Sequence, residues 1–161
     1  MAIQVKVNID KVITQSFEKL QKEIDIRVVR AFQMACKEAV TYAKTNHGYM
    51  QQTGALNSST GFQLYKEGKL IEDYFEASTG GDGTGIDRGI NQGKFIASQR
   101  ATELGAYICA VIVAGMPYAI YVESKGKDVL TSAEKQFPSI LDKWMREAFN
   151  DTGISFSMNN E

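Results

Sequence analysis

Residues 10–46, DKVITQSFEKLQKEIDIRVVRAFQMACKEAVTYAKTN, contain neither glycine nor proline. A stretch this long without a breaker predicts one helix, roughly 50 Å long at 1.5 Å per residue. Ile13, Phe17, Leu20, Ile24, Val28, Ala31 and Ala35 recur at steps of three and four, which is one apolar stripe. A second stripe appears only in the later half: Val29, Phe32, Cys36, Val40 and Ala43. The early half therefore offers one apolar face and the later half nearly two. A helix longer than a small domain is wide either breaks, with Ile24–Ile26 as the natural place, or packs in part on another subunit.

Outward from this helix the pattern changes. Residues 2–9 alternate, with Ile3, Val5, Val7 and Ile9 on one face, and predict a half-buried strand. After the helix, His47-Gly48 is a stop signal. Residues 50–60 are polar and turn-rich. Residues 62–65 and 70–77 read as a strand pair around Gly68, which can adopt the positive φ of a tight hairpin. Residues 79–93, between Ser78 and Lys94, are glycine-rich and predict a flexible loop, with Asp82, Asp87 and Arg88 as its charged residues. Only Ile86 and Ile90 could bury apolar surface there, so adjacent subunits or partners are expected to order it. A short helix is expected over 94–104, capped by Gly105. Residues 107–114 form a buried strand, and 116–124 a helical turn opened by Pro117. Residues 131–150 form an amphipathic helix with Ser132 as N-cap, ended by Gly153. Residues 154–161 are a tail. Long N- and C-terminal helices on a small, mainly antiparallel sheet make this an α+β chain, with residues 1–153 as a single domain.

Its 161 residues suffice for one ordinary domain. A formal net charge of -1 argues against a dedicated nucleic-acid binder, which carries a basic excess. MAIQVKVNID has no apolar core of a signal peptide, and no apolar run approaches the roughly 20 residues of a membrane span. Cys36 and Cys109 sit in apolar patterns and read as small core residues in a reducing compartment.

Chemistry-bearing constellations are weak. His47 is the lone histidine, and Cys36 lies roughly 16 Å along the helix from it. One histidine and two separated cysteines cannot build a zinc site from nitrogen and sulfur. Asp82 and Asp87 lack the acidic ladder of a calcium loop. Gly83-Thr84-Gly85 lacks the rest of a dinucleotide fingerprint. Glu72, Asp73 and Glu76 read as a solvated strand face. No catalytic residue, metal or cofactor is expected. Tyr118 and Tyr121, beside Glu123 and Lys125, suit an interface or a core edge equally.

Two motifs add a resemblance. Thr53-Gly54-Ala55-Leu56, followed by Ser58-Ser59, resembles the Thr-Gly-x-Leu-x-x-Ser element of the HK97 gp10-like phage protein family. Residues 114–123, AGMPYAIYVE, resemble its second element, a strand ending in a Tyr-Ala-x-x-Val-Glu helix. Order and spacing agree over most of residues 1–150. Ser124-Lys125-Gly126 replaces the family's usual Gly-Thr, and residues 79–105 form a longer connection. The resemblance implies a non-enzymatic neck or tail-completion protein, located in the virion and assembled in the host cytoplasm. It implies a homo-oligomeric ring, commonly hexameric, between head-closure or connector proteins and tail-tube or terminator proteins. DNA would pass through the lumen without specific binding, and no membrane is involved. Tyr118, Tyr121, Glu123 and Lys125, with Asp82, Asp87 and Arg88, are the expected interface residues. Thr53, Gly54, Leu56 and Gly115 are the expected structural motif. A tail terminator is the alternative within this class, and a non-viral binding module the alternative outside it.

Overall fold

A computed structural model describes residues 9–102 and 107–153. Residues 2–8 of the expected N-terminal strand, the residue-105 cap and the tail after Gly153 lie outside the described residues, and Ile9, the last residue expected in that strand, opens α1 instead. Within them the order is α1 (Ile9–Thr45), α2 (Ala55–Ser58), β1 (Thr60–Lys66), β2 (Lys69–Phe75), α3 (Ile86–Ala101), β3 (Ile108–Ala114), α4 (Ala119–Ser124) and α5 (Thr131–Phe149). The three strands form an antiparallel sheet ordered β2-β1-β3. The fold is α+β, as the sequence implies.

The hairpin between β1 and β2 turns on Glu67 (φ 50°) and Gly68 (φ 74°), with Lys66 paired to Lys69. Two successive positive φ values are the signature of the tight turn that matches strand twist. β1 is the central strand, so its alternation serves two layers. Phe62 and Leu64 are fully buried against Cys36 and Val40 of α1, joined by Val29 and Phe32. The opposite face carries Cys109, Val111 and Val113 of β3 against Ala97 of α3. The other stripe of α1 receives α5. Ala35 and Ala39 meet Ile140, and Ala31 meets Met145 and Phe149. The later half of α1 thus satisfies both of its apolar faces inside one chain.

Asp25 fixes the level of α1 against the sheet. Lys66 and Tyr107 both donate to its carboxylate, at 2.9 Å and 2.8 Å. The end of β1 and the start of β3 therefore lie beside Asp25. The 37-residue helix continues past them without the break considered near Ile24–Ile26.

The glycine-rich expectation needs correction. Residues 86–93 are not loop but the first half of α3. Their glycines allow close backbone packing. A Cβ on Gly89 would lie 2.2 Å from the Ala55 carbonyl oxygen. One on Gly93 would lie 2.6 Å from that of Ser59, and one on Gly115 would lie 2.5 Å from the Gly93 Cα. Gly85, Gly89, Gly93 and Ala97 recur every four residues and are all buried. This small-residue stripe lets α3 lie directly on α2 and on the sheet backbone, and tertiary packing overrides the low helix propensity of glycine.

Candidate subunit interface

The two sequence motifs meet in space. Gly54 has φ 75° and reverses the chain into α2. The Gly115 N–H donates to the Ser59 carbonyl at 3.1 Å, and Ser59 Oγ accepts from the Met116 N–H at 3.3 Å. Leu56, Met116 and Val129 share one buried cluster, against which Val122 packs. Thr53 joins the hub through its carbonyl, which accepts from Gly85 N–H at 2.9 Å. The four expected motif residues Thr53, Gly54, Leu56 and Gly115 thus stand at one junction of α2, α3, β3 and α4.

From this junction α4 projects its remaining side chains outward. Ile120 is 79% exposed and Tyr121 63%, with Tyr118 also exposed. The Lys125 ammonium lies 5.2 Å from the Tyr121 ring centre. Met50 is exposed beside them and lines a 260 Å³ cavity with Tyr118 and Val122. Tyr121 with Lys125 and Tyr118 with Met50 are thus accessible around α4; Ile120 and Met50 are exposed apolar residues that sequence reasoning missed.

Glu123 is different. Its carboxylate accepts from the N–H groups of Val129 and Leu130 at 3.0 Å and of Thr131 at 3.2 Å. Asp128 accepts from Ser132 N–H at 3.1 Å. These two carboxylates satisfy the orphan donors at the start of α5 and suit its positive end. Glu123, one of the expected interface residues, is thus engaged within its own chain at the start of α5, and Ser132 is not the cap. Burial pushes the Glu123 carboxyl up, but the Thr131 hydroxyl and the three N–H donors outweigh it and hold it below its ordinary value.

Asp82 is likewise engaged locally, accepting from the Thr84 N–H at 2.9 Å and its hydroxyl at 2.7 Å. Asp87 and Arg88 are exposed on the first turn of α3. The structure does not bring this group to the α4 surface through any described contact.

A second apolar surface lies at the other end of α1. Every described side chain from Asp10 to Glu23 is exposed, Val12 lying outside the description. Ile13, Phe17 and Leu20 are 48%, 68% and 49% exposed. The stripe finds an internal partner only from Ile24 onward, where α5 begins to cover it. Arg27 marks the limit of α5: it donates to the Ala148 carbonyl at 2.6 Å and to Asp151 at 2.7 Å. α4 sits near the opposite end, because Gly48 N–H donates to the Asp128 carbonyl at 3.3 Å. Phe17 and Thr45, the last residue of α1, are separated by roughly 42 Å of helical rise.

The groups weighed for chemistry are held in structural contacts. Burial pushes the Cys36 thiol up to about 12, with Glu72 adding to it, and raises Cys109. His47 stacks on Tyr49 and contacts Gln51 at 2.8 Å. Glu72 pairs with Lys37 and Asp73 with Lys94. Among the described residues no cluster of three or more His, Cys, Asp or Glu could hold a metal, and no helix is long and apolar enough to cross a membrane. In comparisons with known proteins, no family model, no curated protein and no solved structure matches the chain.

Proposed function

We propose that this chain is a structural ring subunit of a tailed-bacteriophage virion, acting at the neck or tail-completion position between head connector and tail. The observation that carries the reading is the pair of exposed apolar surfaces at opposite ends of α1. One holds Ile13, Phe17 and Leu20, and the other holds Ile120 and Tyr121. A cyclic ring needs two different surfaces per subunit, because its contact is heterologous and closes by rotation. The family resemblance of residues 53–59 and 114–123 supplies the viral setting, and the junction where these motifs meet holds α4 in place. Six copies, head-closure and tail-tube neighbours and a DNA-conducting lumen follow from that resemblance.

The reading is tested by native mass and negative-stain images of the purified chain, alone and with Tyr121→Ala. The expected result is closed rings whose assembly weakens by more than about 1 kcal/mol per interface in the variant. Circular dichroism should be unchanged, since Tyr121 is exposed. A chain that stays monomeric at all concentrations overturns the reading. Undisturbed rings remove Tyr121 from the contact.

A further inference from the structure

The sheet has two edges, and they differ. β2 carries Lys69, Glu72 and Asp73, two of them in ion pairs with Lys37 and Lys94. Its pairing with β1 is also interrupted by a register shift at Leu64/Tyr65. Charges and irregularities of this kind are how natural sheets blunt an edge. β3 reads ICAVIVA, with no charge, proline or glycine. Among the described residues it pairs with β1 alone, so its second edge faces no strand. A mainly apolar groove of about 380 Å³ lies beside it, walled by Ala110 and Ile112, by Ala39 of α1 and, from the α5 side, by Ala133, Phe137 and Pro138, with Glu134 as its one charged residue. An unblunted apolar edge beside an apolar groove is a template for one more strand.

We infer that residues 2–8 of one copy add as an outer strand to the free edge of β3 in a neighbouring copy. Two observations select this occupant. The first is its pattern. Ile3, Val5 and Val7 alternate with Gln4, Lys6 and Asn8, so a strand there has one apolar face for the groove and one polar face for solvent. The second is reach. These residues precede Ile9, and α1 runs unbroken from Ile9 past Asp25, which marks the start of β3. That places Ile9 roughly 24 Å beyond the sheet along the helix axis. The middle of β3, at Ala110 and Ile112, lies farther still. From Val5 to Ile9 the chain spans at most about 14 Å when extended. Val5 therefore falls short of the edge in its own chain, and a second copy supplies or receives the strand. The projecting half of α1 is then the bridge between subunits, and Ile13, Phe17 and Leu20 run over the neighbour. The inference deepens the ring reading and rests on it only for closure, since an arm passed from each copy to the next is a heterologous contact.

The test uses the full chain, a deletion of residues 2–8, Val5→Asp and Lys6→Ala, each first checked for unchanged circular dichroism. Native mass is followed against concentration, with amide hydrogen exchange of residues 108–114. The full chain should assemble, with the outer-edge amides of β3 protected and that protection lost on dilution to monomer. Deletion should speed exchange there at least a hundredfold and leave monomer. Val5→Asp should raise the half-assembly concentration at least tenfold, and Lys6→Ala should not. Unchanged assembly after deletion overturns the arm while leaving the ring standing. Protection that persists in diluted monomer also overturns it, because the chain's own residues would then cover the edge. A full chain that never assembles overturns both readings.

Discussion

The two halves of α1 obey the same helical pattern and meet opposite fates. From Ile24 to Ala43 the helix is gripped on two sides, by the sheet through Cys36 and Val40 and by α5 through Ala31, Ala35 and Ala39. From Asp10 to Glu23 every described side chain is exposed, although Ile13, Phe17 and Leu20 continue the same stripe. Most helical stability in proteins comes from packing an apolar face rather than from propensity. A projecting half with an intact stripe is therefore a surface awaiting a partner, and the gripped half is the scaffold that presents it.

The contrast can first be sharpened in the gripped half. Phe62 is fully buried against Cys36 and Val40. Phe62→Ala should cost about 3–5 kcal/mol in a denaturant titration. A cost near zero would show that the sheet does not hold α1. Next in size is Gly89→Ala, whose Cβ would sit 2.2 Å from the Ala55 carbonyl oxygen. Backbone must shift to admit it, so a loss of about 1–3 kcal/mol is expected despite the better helix propensity of alanine. Stabilisation would mean that α3 does not lie against α2 as described.

Smaller again is Glu123→Gln. Removing the charge but keeping an acceptor should cost about 1 kcal/mol, in the range of other helix caps. Because the folded Glu123 carboxyl titrates below its ordinary 4.5, its stabilisation is complete above that value. It is lost as the pH falls through the lowered folded value. The difference in stability between wild type and Glu123→Gln should accordingly narrow below about pH 4.5. A difference that does not change with pH would remove the carboxylate from the start of α5.

How much of this was legible follows from the kind of signal each part carries. α1 could be read directly, because a breaker-free run with two stripes in one half states where two neighbours must pack. The hairpin was legible from Gly68. The first half of α3 was not, because glycine content argues for loop until a neighbouring backbone demands it. The spacing of Gly85, Gly89, Gly93 and Ala97 was the available signal. Glu123 as the cap of α5 was hidden for another reason. Its donors lie six to eight residues away across a turn, outside the local cap pattern. Ile120 and Met50 were missed because exposure of an apolar side chain is a property of the folded surface.

The most direct measurement of the central contrast is Phe17→Asp, followed by denaturant titration and native mass on the same sample. Phe17 is 68% exposed within the chain. The expected result is a fold whose stability changes by less than about 0.5 kcal/mol, as at other surface sites, together with loss of multi-subunit species. A variant that unfolds would place Phe17 in the core of its own chain. One that folds and assembles like the wild type would show that the projecting half of α1 is no subunit contact.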